Sequence, residues 1–215
     1  MRRAIASLSQ GRAGRLPLVG GRLCLDFVNT SSGRGTSSHK DHLVGYNDLL
    51  AWAHHADALS STTALELADL TARKPAAARR VLARAVKLRE ILFRIVTALA
   101  RKVPPAPEDL AALNTYLMAA NRSARLARDR RGFAWTWSSG SLQLDLPLWL
   151  IARSAAEVLT AGPLERLKSC NGEACGWVFL DETRNGRRRW CEMEVCGSRA
   201  KMRRFRARHA AAHAA

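Results

Sequence analysis

The sequence predicts a mainly α N-terminal domain with a small β-hairpin (an α+β domain), followed by a small four-cysteine module that ends in a basic helix. Three observations lead there. Apolar residues recur at helical spacing through most of residues 17–162. One stretch near residue 130 alternates with period two instead. Four of the five cysteines gather near the end of the chain. A length of 215 residues is enough for one medium core and a small appendage. The expected division is a flexible basic N-terminus over 1–16, a helical regulatory domain over 17–162, the cysteine module over 164–209 and a tail over 210–215.

Residues 1–16 are rich in Arg, Gly and Ser and predict a loose segment. Leu23 to Thr30 is an apolar run in which Asp26, Asn29 and Thr30 stand close together; periodicity leaves strand and helix both open. Residues 31–42 read as a loop. Tyr46 to Leu59 reads as a helix opened by Asn47 or Asp48, and Thr62 to Thr71 as a shorter one. Pro75 suits a first helical position, and Ala76 to Lys102 carries the longest helical pattern. There Val81, Ala85, Leu88, Leu92, Ile95 and Leu99 form a heptad seam, widened by Ile91, Phe93 and Val96. So broad a seam marks a core helix ahead of a dimer contact. Pro104, Pro105 and Pro107 end it, and Glu108 to Ala120 forms the next helix. Arg125 to Arg128 and Phe133 to Trp137 read as a β-hairpin. A last domain helix runs from Leu144 to Leu159, stopped by Gly162-Pro163.

The cysteines are spaced Cys170-x4-Cys175, fifteen residues, then Cys191-x4-Cys196. Two close pairs on either side of a connector can converge on one tetrahedral ion, and four thiolates suit zinc. Four thiolates leave no position for water, so a single Zn2+ here is structural. The alternative is a set of buried free thiols or a redox dithiol. Gly172, Gly176 and Gly197 allow tight turns beside the metal. No stretch approaches the roughly 18 consecutive apolar residues of a spanning helix, and the start lacks an apolar run of signal-peptide length. These observations predict a cytoplasmic chain with no membrane partner, where paired cysteines favour metal over disulfides.

The formal charge is +17, but 29 of the 35 cations are Arg, a bias that genomic base composition also produces. Placement is more telling. Between Arg184 and Arg208 ten basic residues face two acidic ones. Arg199, Arg203 and Arg206 share one face of the last helix, and Lys201, Arg204 and Arg208 an adjacent one. Met202 and Phe205 lie between them, on the side expected to pack back on the preceding strand. Arg187, Arg188 and Arg189 precede the second cysteine pair. Together these nine cations predict contacts to double-stranded DNA.

The stretch from Leu167-Lys168-Ser169-Cys170 through Arg208 resembles the CGNR zinc finger family. The match includes both x4 pairs, Trp177-Val178-Phe179-Leu180-Asp181, Arg184-Asn185, Arg189-Trp190-Cys191 and Lys201 with its trailing arginines. Ser198 stands where the family has Asn; either can cap a helix. Upstream, Gly21-Arg22-Leu23-Cys24-Leu25-Asp26-Phe27-Val28-Asn29-Thr30 resembles the opening of the ABATE domain. The resemblance implies a bacterial transcription regulator with a C-terminal, treble-clef-like DNA-binding finger.

Three functional classes follow. The first is a zinc-dependent DNA-binding regulator whose helical domain senses a small-molecule effector, with Asp26, Asn29 and Thr30 as a candidate pocket, or mediates self-association as a homodimer. The second is an RNA-binding module in which Trp177 and Trp190 stack on bases. The third, an enzyme in residues 17–162, lacks any nucleophile-plus-base arrangement, Walker loop or dinucleotide-binding glycine pattern. His39, His42, His54, His55 and Asp57 offer no complete ligand set.

Overall fold

The apolar run whose form the sequence left open is a short helix, α1 (Leu23–Val28), set at the centre of the molecule. The computed structural model describes residues 11–129, 132–137 and 143–213. Cys24, Leu25, Asp26, Phe27 and Val28 are all buried. So short a helix is marginal by its own hydrogen bonds, and its neighbours hold it. Next, inside the stretch expected to be a loop, β1 (Ser31–Ser32) pairs antiparallel with β2 (Lys40–Asp41).

Helix α2 (Tyr46–His55) starts after Gly45, with Asp48 accepting the Gly45 and Val44 N–H groups from inside the first turn. Helix α3 (Ser61–Arg73) is capped by Ser60, whose Oγ accepts from the Thr63 N–H at 3.1 Å. Helix α4 (Pro75–Ala100) begins with its proline, as expected. It is followed by α5 (Pro107–Ser123), the antiparallel hairpin β3 (Ala124–Asp129) and β4 (Gly132–Trp137), and α6 (Leu146–Ala161).

The α4 seam faces the chain's own core. Val81, Ala85, Leu88, Leu92 and Ile95 are buried, and Leu99 is partly so. The helix touches α1, α2, α3, α5 and α6. Phe27 of α1 meets Trp52 of α2 with ring centroids 5.2 Å apart. The expectation of a loose segment through residue 16 fails from residue 12 onward. Arg12–Arg15 makes a 3-10 turn against α2, and Ala13 and Leu16 are buried. Residues 1–10, and residues 214 and 215 of the expected tail, lie outside the described residues.

The cysteine module is not the separate appendage its size suggested. Its strands β5 (Leu167–Ser169) and β6 (Val178–Leu180) pair antiparallel and pack against α4 and α1. Val178 and Phe179 are fully buried in the same core cluster as Phe27 and Leu92. Polar links reinforce the join: the Leu180 N–H donates to Gly20 O at 3.0 Å, and the Gly33 N–H to Cys175 O at 2.9 Å. The last element is α7 (Ser198–His213).

Candidate metal centre and nucleic-acid face

The first cysteine pair lies on the turn between β5 and β6. Gly172 lies close to the site: a Cβ there would sit 3.0 Å from Cys175 Cβ and 3.1 Å from Cys196 Sγ, so a larger residue would press on two of the cysteines. Gly176 has φ +71°, a left-handed conformation that a side chain would strain. Cys191 and Cys196 come from the second turn, Cys196 within a π-helical turn (Met193–Gly197) that runs straight into α7.

All four Sγ atoms lie within 4.8 Å of one another, the one such grouping of metal-ligating side chains among the described residues. Cys191 Sγ is 3.6 Å from Cys175 Sγ and 3.5 Å from Cys196 Sγ. A tetrahedron with metal–sulfur bonds of about 2.3 Å has edges of about 3.8 Å, so these separations fit one ion. They are far from the roughly 2.05 Å of a disulfide. Cys170 Sγ also accepts the Cys191 N–H at 3.3 Å and the Gly172 N–H at 3.4 Å, bonds that favour a thiolate.

Crowding gives a second test. Hydrogen bonds from the Cys175 and Cys191 thiols hold the Cys170 thiol below its usual value, while the neighbouring Cys170 pushes Cys175 and Cys191 up and burial does the same to Cys196. Four thiolates so close need a cation among them. The four cysteines are positioned to bind one zinc ion, which when bound supplies a closed tetrahedral cross-link and no open site for chemistry.

A polar bracket supports the clamp, and the sequence did not disclose it. Asp181 is fully buried. Burial alone would raise its carboxyl, but the Lys168 ammonium at 2.6 Å and donors from Thr183 and Arg188 outweigh that and hold it well below the usual carboxylate range. Arg188, one of the nine proposed DNA contacts, belongs to this bracket. Its guanidinium lies 4.1 Å from the Phe179 ring and donates to Trp190 O, Cys191 O and Val19 O. That removes it from the free cations; Arg187 and Arg189 remain exposed.

Among the described residues, helix α7 leaves the clamp with one ion pair along it, Arg203 to the exposed Glu173 at 3.2 Å. Every side chain from Lys201 to His209 is exposed, including Lys201, Arg203, Arg204, Arg206 and Arg208, and so is Arg199; Ala200 is buried. Met202 and Phe205 do not pack back on the strand: they are 50% and 49% exposed. The turn that precedes the helix carries the chain away from β6. Phe205 instead meets the His209 ring at 4.2 Å. Ser198 is no cap either. Its Oγ donates to Met193 O at 3.3 Å inside a continuous helical run. Trp177 is buried and Trp190 partly buried, so neither offers a free stacking face.

The candidate pocket residues are occupied by the protein. Asp26 accepts the Gly20 N–H at 2.8 Å. Asn29 clasps β6 in both directions, donating to Val178 O and accepting the Val178 N–H, each at 2.9 Å. Thr30 donates to Phe27 O and receives the buried Arg89, whose guanidinium also grips both Asp41 oxygens at 2.7 and 2.6 Å. All three are thus buried polar groups whose partners come from the protein itself. His54 and His55 are likewise engaged with backbone carbonyls, His54 with Leu59 O and His55 with Leu16 O.

Residues 21–162 match the model of the ABATE family, described as "Putative stress-induced transcription regulator". The chain belongs to the ABATE family. Residues 166–209 of this ABATE chain match the CGNR zinc finger. Both families are regulatory, and neither is a family of enzymes. No curated protein matches the chain. No helix among the described residues is long and apolar enough to cross a membrane.

Proposed function

We propose that the chain is a zinc-dependent DNA-binding transcription regulator, in which the finger contacts the duplex and the helical domain senses a ligand or mediates self-association. One observation carries the reading. A helix with six cations buries only Ala200 among residues 198–209, and it starts directly from a four-cysteine site positioned to close around one zinc ion. A helix without a core contact has no folding reason to hold one orientation, whereas a reader of the major groove needs one. Arg199, Lys201, Arg203, Arg204, Arg206 and Arg208 supply phosphate contacts and bidentate donors for guanine, while Arg187 and Arg189 reach the backbone. The exposed Met202 and Phe205 suit thymine methyl groups. With both tryptophans packed, no observation favours RNA.

The test is duplex affinity against salt for the zinc-loaded chain. With six or more phosphate contacts, affinity falls about a thousandfold between roughly 50 and 200 mM salt. A flat salt dependence overturns the reading.

A further inference from the structure

A cleft of about 1070 Å³ lies between the helical domain and the finger. Its walls carry Arg12 and Arg15 from the N-terminal turn and Lys40 from β2 on one side, Arg199 and Arg203 from α7 on the other. All five are exposed and so form the rim. Its inner wall is different. Cys191 and Cys196 are buried and Cys175 partly so, with Trp177 buried beside them.

We infer that the nucleic-acid face continues beyond the finger onto the helical domain, where Arg12, Arg15 and Lys40 grip the phosphates of the duplex that α7 engages. The inference rests on the DNA reading above. Charge decides the occupant. A zinc ion with four thiolates carries a net charge of about −2, and Glu173 and Glu192 also line the cleft. A small multivalent anion drawn to the inner wall would meet that negative charge. Glu173 is itself exposed and pairs with Arg203 at 3.2 Å, so a phosphate strand lying across the rim meets Arg12, Arg15, Lys40 and Arg199 first, with Arg203 shared between it and Glu173. Rim and helix also keep a fixed register, because Asn29, Gly20 and Gly33 fasten the two parts together. On this wall the His42 imidazole is lowered below its ordinary value by burial first and then by the Arg12 charge, with Arg89 and Lys40 adding to it against Asp41. Phosphate contacts of this kind set position and orientation and leave base reading to α7.

The experiment compares the zinc-loaded full chain with its Arg12→Gln/Arg15→Gln/Lys40→Gln variant. With all three contacts made, the log–log salt slope falls by about 2.7, at about 0.9 per phosphate, and low-salt affinity drops about tenfold or more on any duplex sequence. A charge-keeping variant, Arg12→Lys/Arg15→Lys/Lys40→Arg, restores the slope. An unchanged slope in the neutral variant overturns the inference, as does a charge-keeping variant as weak as the neutral one. Saturable micromolar binding of inorganic pyrophosphate, lost in the neutral variant, also overturns it and assigns the cleft to a small anion. Absence of any duplex binding by the wild-type chain overturns the DNA reading itself, and this extension with it. A wild-type slope that survives the triple substitution overturns the extension alone.

Discussion

Helices α4 and α7 are built from similar material and do opposite things. Both are rich in Ala and Arg. α4 turns Val81, Ala85, Leu88, Leu92 and Ile95 into the core, whereas α7 buries only Ala200 among residues 198–209. Packing dictates the course of the first. The course of the second is set at one end, by Cys196 in the turn that launches it. Where burial explains a helix, no functional explanation is needed; where nothing buries it, its cations and apolar tips are there for something else.

The strongest way to break this contrast is to remove the metal. Structural zinc contributes about 10 kcal/mol or more in small finger domains, so chelation, or Cys191→Ser, releases α7 and abolishes duplex binding. Because β5 and β6 share the core with α1 and α4, the helical domain loses thermal stability as well. Calorimetry of the zinc-loaded and chelated chains checks this, and an unshifted helical-domain transition would show that the join is only contact.

Single truncations sharpen the contrast. Leu88→Ala in α4 removes a fully buried side chain and costs about 3 to 5 kcal/mol. Phe205→Ala in α7, also a large apolar truncation, changes stability by less than about 0.5 kcal/mol. Urea denaturation measures both. Equal losses would mean that α7 packs somewhere in solution.

Asn29→Ala probes the seam between the regions. It leaves the Val178 N–H and carbonyl without partners in a buried position, at about 2 to 3 kcal/mol. If the seam is what aligns the finger, the variant also weakens duplex binding while keeping its zinc, measured by metal content beside a binding curve.

Elements with a strong period were legible in the sequence: the α4 seam, the hairpin at 124–137 and the long helices all lie where their patterns placed them. The zinc ligands were legible because chemistry fixes their spacing. What was hidden depended on contacts distant in the chain. Asn29 reaches Val178 across 149 positions, and Arg89 meets Asp41 across 48. Neither distance leaves a local pattern, so the partners that occupy Asn29 and Thr30 were not legible, and neither was the Arg188 link to Val19 O across 169 positions. Met202 and Phe205 misled for the converse reason. Apolar spacing says which residues share a face, not whether anything covers it.

The most gradual predicted effect concerns Asp26, the buried carboxylate beneath that seam. Burial pushes its pKa from about 3.8 up to about 6, against the Gly20 and Val19 N–H groups and the nearby Arg188 and His55 charges, which favour the anion. A carboxyl raised on folding binds its proton more tightly in the native state. Its stabilising contribution is therefore complete below about pH 4 and lost as pH rises to about 6, amounting to at most about 3 kcal/mol. Asp26→Asn keeps an acceptor for Gly20 and has no proton to lose. The stability difference between variant and wild type should then grow in favour of the variant from about pH 4 to about pH 6 and stay level above it. Cysteine protonation also weakens the zinc clamp in this range, but it does so in both chains, and the difference cancels it. A difference flat across the window would mean that water reaches Asp26 and that the seam between helical domain and finger opens in solution.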